Sequence, residues 1–178
     1  MSTLAKRLGM VASVALMVCA VCFLGTAQSK PSTVETNIYK VDIPSSMKVE
    51  YISDDDIRFV YDSDNYIDVC VYPDMVFEDI CKRYDADWSK KDGYFSCENQ
   101  FGLQMIDDMV FIYYDEEAYH QATCVPYSGG VLVLEAQSTY DEGATDEDSL
   151  EVEYDKTAAF ETVFDTIMLV ENISAIEP

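Results

Sequence analysis

The chain is short of positive charge. Lysine and arginine total 11 against 34 acidic residues, for a formal net charge of −23. Such a surface repels nucleic-acid phosphates and anionic lipid headgroups, which makes both poor partners and favours solubility, cations or a basic partner. Histidine is scarcer still, with His120 alone. Strand alternation puts Ala118, His120, Ala122 and Cys124 on one face, which leaves Cys124 roughly 13 Å from His120 along the strand. A nucleophile and its base must come within about 3 Å, so the two are not a dyad by themselves. Serine chemistry lacks its motif. Tyr127-Ser128-Gly129-Gly130 is without the first glycine of a nucleophile elbow and precedes a strand. No internal repeat or low-complexity segment occurs.

The N-terminus carries what the rest lacks. Lys6 and Arg7 precede Leu8 to Ala27, a continuous run of apolar and small residues ending Gly25-Thr26-Ala27. This is the pattern of a signal peptide cleaved before Gln28, so residues 1–27 are expected to direct export. The run is also long enough to remain as a membrane anchor. Lipid modification of Cys19 or Cys22 is a third fate, against which Val18 and Val21 stand where a lipobox has Gly, Ala or Ser. The expected location is secreted or extracytoplasmic, with membrane contact only through residues 8–27 if they are retained. Residues 28–36 read as a tether and 37–178 as a single domain.

Beyond the leader four cysteines remain, Cys70, Cys81, Cys97 and Cys124, with no CxxC pairing among them. An even count in an exported chain predicts disulfides rather than a metal site. Three connectivities are open, and Cys70–Cys124 with Cys81–Cys97 would join distant strands and close a short loop, each bridge stabilising by about 2–4 kcal/mol. Four buried thiols explain the same residues without a bridge.

Gly129 to Tyr140 is the organising stretch. Val131 to Leu134 run without a polar interruption, which marks a strand covered on both faces, and Gly129-Gly130 deliver it through a turn. Before it, Tyr39 to Ile43 alternates into Pro44, Met47 to Ile52 alternates again, and Ile57 to Tyr61 with Tyr66 to Tyr72 reads as a hairpin across Asp62-Ser63-Asp64-Asn65. Asp74 is placed to cap a helix over about 74–88 with Val76, Phe77, Ile80, Cys81, Tyr84 and Trp88 on one stripe. An antiparallel meander follows, with pieces at Tyr94 to Cys97, Leu103 to Ile106, Met109 to Tyr114 and Glu117 to Val125. Leu150 to Tyr154 alternates like a last short strand, or the start of the final helix. That helix is expected over about 155–168, capped by Asp155, with Phe160, Val163, Phe164 and Ile167 at helical spacing. The fold class is therefore α+β, an antiparallel sheet of about six to eight strands with two helices packed on it.

The order of an exported leader, a strand ending in Pro44, a hairpin, a helix, a meander, and a closing helix with Phe160, Val163, Phe164 and Ile167 resembles the PsbP-like α/β/α family in its exported bacterial and lipoprotein members. The resemblance spans about Ile38 to Val170. It implies an antiparallel sheet with helices on its faces serving as a docking module, and it assigns no site residue to this chain.

For metals the pointed reading is calcium. Asp62, Asp64, Asn65 and Asp68 supply hard oxygen ligands within a short segment, as do Asp54 to Asp56, or Asp141 and Glu142 with Asp146 to Asp148. None has EF-hand spacing, and a solvated acidic surface accounts for most carboxylates. The aromatic excess offers Tyr113, Tyr114 and Tyr119 as a recognition surface, with Phe111 and Tyr119 expected on the Tyr113 face and Tyr114 on the other. Half-burial in a sheet is the plainer reading. Trp88 reads as a cap on the core. The function expected is a non-enzymatic, cofactor-free binding or accessory domain of the cell envelope, acting on a protein or ligand through an acidic, Tyr-rich surface. The alternative is an envelope hydrolase or thiol enzyme using His120 and a cysteine.

Overall fold

The computed structural model describes residues 32–91, 93–98, 108–115, 118–139 and 147–170. The leader with Cys19 and Cys22, the Leu103 to Ile106 piece and the acidic residues 141–146 lie outside them.

Among the described residues, two antiparallel sheets and two helices make up the fold. The larger sheet has seven strands in the order β3-β4-β5-β9-β8-β7-β6. They are β3 (Lys48–Tyr51), β4 (Ile57–Val60), β5 (Tyr66–Pro73), β6 (Phe95–Glu98), β7 (Met109–Tyr114), β8 (Ala118–Tyr127) and β9 (Gly130–Thr139). As its uninterrupted apolar run requires, β9 is the middle strand, hydrogen-bonded to β5 along one side and β8 along the other. The strand ending in Pro44 is not in this sheet. It is β2 (Tyr39–Ile43), the centre of a three-stranded sheet between β1 (Ser32–Glu35) and β10 (Met168–Leu169). The expected tether therefore includes a paired strand. Val34 anchors it by burying its side chain opposite Val41.

One face of the large sheet is the main core. Ile57, Phe59, Ile67, Val69, Leu132 and Leu134 alternate onto it and are fully buried, each contributing about 1.5–3 kcal/mol by leaving water. Against them pack Tyr39, Val41 and Ile43 of β2, and Ala159 and Val163 of α2 (Glu147–Thr166), with Phe160 and Phe164 half-buried at the margin. The Asp42 backbone N–H donates to Thr166 Oγ1 at 2.9 Å, tying the end of α2 to β2.

The helix boundaries differ from expectation for local reasons. Asp74 does not cap a helix. It sits at φ 59 and donates its backbone N–H to the Gly129 carbonyl at 2.9 Å, so it belongs to the turn beside β9. α1 begins later, at Phe77–Trp88, with Val76 at the cap position and no side-chain cap. Glu78 and Asp79 in its first turn complement the helix dipole. α2 begins eight residues before Asp155, and Leu150 to Tyr154 is helix rather than strand. A five-residue alternation fits both periods, and a helix once nucleated at Asp155–Thr166 extends cheaply through the glutamates before it. Among the described residues no helix is long and apolar enough to cross a membrane.

Candidate functional site

Among the described residues, the other face of the large sheet is covered only at one end. α1 lays Ile80 and Tyr84, both buried, over Phe111, Ala122, Cys124, Val131 and Val133. Beyond Tyr84 the same face continues uncovered, and its residues change character. Register puts Phe111, Ala122, Glu135, Asp68 and Arg58 in one row and Tyr113, His120, Gln137 and Tyr66 in the next. The result is a hollow of about 230 Å³ beside α1, with Glu135 and Gln137 in its floor and Tyr66, Trp88, Tyr113 and His120 around it.

Each wall is fixed by its neighbours. Trp88 stands edge-on to Tyr113 at 4.9 Å and 84° and to Tyr84 at 5.5 Å and 79°. Tyr113 lies flat on the His120 ring, centroids 4.2 Å apart, while Lys91 Nζ stands 4.3 Å from the Tyr113 centroid. His120 Nε2 is 2.9 Å from Asp115 Oδ2. On the opposite wall the Arg58 guanidinium donates two hydrogen bonds to Asp68, at 2.6 and 2.7 Å, and lies over the Tyr66 ring at 4.2 Å. The Tyr66 hydroxyl donates to Gln137 Oε1 at 3.1 Å.

Glu135 is the charge at the centre. It is half-buried and accepts the Tyr84 hydroxyl. Its field reaches around it: burial first, and then this carboxylate, push the Tyr84 hydroxyl well up and the Cys70 thiol up to about 12. A second hollow of about 160 Å³, bounded by Tyr72, Arg83 and Asp87, shares Glu135, Tyr84 and Trp88 with the first.

Three sequence expectations meet this geometry differently. Tyr113 lines the hollow, but Tyr119 does not share its face. The hairpin pairs Tyr113 with His120 and Tyr114 with Tyr119, so Tyr119 and Tyr114 lie together on the opposite face, centroids 5.3 Å apart. His120 is in the hollow with Asp115 as its hydrogen-bond partner, while Cys124 lies under α1 and Cys97 is on the far face. Among the described residues the ring nitrogen's hydrogen-bond partner is Asp115, not a cysteine.

The calcium candidates are engaged in hydrogen bonds of their own. Asp62 Oδ1 accepts from the backbone amides of Asp64 and Asn65, both at 2.9 Å, and from the Asn65 side chain at 2.7 Å. Burial opposes ionisation there, but these hydrogen bonds hold the Asp62 carboxyl below its usual range. Asp64 accepts the Ser63 hydroxyl, and Asp68 is committed to Arg58. Of the other aspartates, Asp55 and Asp56 accept the backbone amides of Asn37 and Val71. Among the described residues no group of three His, Cys, Asp or Glu is arranged to hold a metal ion.

No disulfide joins Cys70, Cys81, Cys97 and Cys124, which corrects the expected bridges. Cys70 and Cys124 both pair with Val133, from opposite sides of β9, so their Cα atoms are about 10 Å apart. A disulfide spans at most about 7 Å. Cys97 pairs with Val110 on the α2 side of the sheet and donates to its carbonyl, while Cys81 is on α1, across the sheet from it. The thiols that do meet are Cys81 and Cys124. Their hydrogen bond, then burial, drive the Cys124 thiol well above its ordinary range.

Sequence reading assigned Trp88 to the core and left Glu135, Gln137, Tyr66 and Arg58 without a role. The signal was in β9, where the apolar run stops at Glu135 and polar residues take every second place: that is where the cover provided by α1 ends.

No family model matches the chain, and no curated protein does. Among solved structures it is similar to cyanobacterial PsbP from Synechocystis sp. PCC 6803, with 11% identity, 85% of this chain and 99% of that chain covered, and a TM-score of 0.44. At that level the likeness carries no inference about what the chain does.

Proposed function

We propose that the protein is an exported, non-enzymatic accessory domain that docks an envelope partner on the open end of the α1 face. The observation that supports this is the hollow itself. Rigid aromatic walls, half-buried and held by mutual ring contacts, surround hydrogen-bonding groups on adjacent strands, which gives contact area at low entropy cost. His120 serves there as a wall, stacked on Tyr113 and held by Asp115. The apolar run of residues 8–27 supports export.

Partner capture from native envelope tests the reading. The wild-type protein and a control substituted at exposed Lys48 are expected to retain the same proteins, and Trp88→Ala and Tyr113→Ala to lose them. Identical capture by all four overturns the docking face.

A further inference from the structure

We infer that the hollow receives the guanidinium of a partner protein's arginine, stacked on its aromatic wall and paired with Glu135. The inference rests on the docking reading above and names the chemistry of its ligand.

Glu135 carries the argument. It is a half-buried carboxylate whose one hydrogen-bond donor among the described residues is the neutral Tyr84 hydroxyl. The described ion pairs are Arg58–Asp68, Lys82–Asp79 and His120–Asp115, so Glu135 has no counter-charge among them. Arg83 bounds the neighbouring hollow but makes no ion pair with Glu135, so this half-buried carboxylate keeps its acceptor capacity for an arriving guanidinium. Asp68, the other acid in the hollow, is already neutralised by Arg58.

The chain also builds this arrangement once for itself. Arg58 lies flat over Tyr66 while making two parallel hydrogen bonds to Asp68. A planar, weakly hydrated guanidinium suits such a place better than an ammonium. Trp88 and Glu135 place an indole and a carboxylate together a second time, in the lining of the hollow, while Tyr113 is already engaged by His120 and Lys91. The net charge of −23 adds a long-range field that draws basic segments toward the surface.

Trp88 is the chain's only tryptophan, so its fluorescence reports on the hollow directly. The intact protein is titrated with a blocked Gly-Arg-Gly peptide and with its citrulline counterpart, which keeps the shape and removes the charge. Saturable change with the arginine peptide is expected, about tenfold weaker with citrulline and about tenfold weaker in Glu135→Gln, whose amide oxygen still accepts from Tyr84. Salt at roughly 0.5 M is expected to weaken the arginine peptide selectively. The citrulline comparison needs no variant, so the test holds even if Glu135→Gln folds poorly. Equal binding of the two peptides overturns the cation and leaves the docking reading standing. Absence of saturation with either peptide overturns the inference, and if partner capture is also indifferent to Trp88→Ala the docking reading falls with it.

Discussion

The hydroxyl of Tyr84, buried in the middle of α1, donates to the carboxylate of Glu135 on the central strand. This bond ties helix to sheet at the line where the apolar interface ends and the hollow begins, beside a second contact from Tyr84 to Tyr72. Tyr84→Phe keeps the ring and removes the donor, so it is expected to destabilise the protein by about 1.5–3 kcal/mol, as for hydrogen bonds to charged groups. Urea unfolding of the two proteins measures it, and an unchanged midpoint would show that the bond contributes nothing.

Stability is expected to fall at high pH. Burial, with nearby Asp56 and Asp55, raises the Tyr39 hydroxyl; burial also raises those of Tyr84 and Tyr119, and Cys70 rises to about 12. Each group resists ionising only when folded. Its contribution is therefore complete below the unfolded value, about 10 for tyrosine and about 8.5 for cysteine, and is lost as pH climbs toward the folded value. Urea midpoints at pH 7 and pH 11 should differ clearly, with the lower one at pH 11.

The acid limb has a local origin. Asp62 is held below its usual range by Asn65 and two backbone amides, so its contribution is present above about pH 4 and lost as pH falls through the depressed value. Asn65 also accepts Thr139 N–H at 2.9 Å, which fastens the β4–β5 turn to the end of β9. Asn65→Ala should therefore flatten stability between about pH 4 and pH 2 and lower it by about 1–3 kcal/mol at neutrality. An acid profile parallel to the wild type would contradict this origin.

The thiols make a fourth test. With Cys70, Cys97 and Cys124 all raised by burial or hydrogen bonding, few thiolates exist at pH 8. Alkylation followed by peptide mass spectrometry should label these three at least about tenfold more slowly in the native protein than in urea. Recovery of a peptide bridged Cys70 to Cys124 would contradict the strand register.

Gly130 opens β9 at φ 148, where a Cβ would stand 2.1 Å from the Tyr72 carbonyl oxygen. Only glycine fits against β5 there. Gly130→Ala is expected to cost about 2–4 kcal/mol, read as a drop in melting temperature, whereas Gly129→Ala, whose near neighbour is the Tyr127 side chain, should cost less.

Most of the large sheet could be read from the chain because its strands bury one face and alternate, and β9 declared itself central by burying both faces at its first half. The second sheet could not. β1, four residues long, folds back on β2 through a tight turn inside a polar stretch that reads as a tether, and β10, two residues long, reaches β2 from the far end of the chain, a pairing that no local pattern carries. The early start of α2 was hidden by an alternation of five residues too short to fix its period. The hollow was invisible for another reason. Its parts come from α1, β5, β7, β8 and β9, and residues such as Glu135 and Gln137 look like ordinary outward-facing strand positions until it is known how little of the face α1 covers.

The docking face is tested most directly by crosslinking in cells. A photoreactive phenylalanine analogue replaces Tyr113, in the wall of the hollow, or Tyr51, 69% exposed on the edge strand β3 at the opposite side of the sheet. The account predicts a discrete crosslinked partner from position 113 that disappears when Glu135→Gln is added, and none from position 51. Crosslinks from position 51 alone would contradict the docking face, and equal yield from 113 with and without Glu135 would contradict the pairing of that face with an arginine.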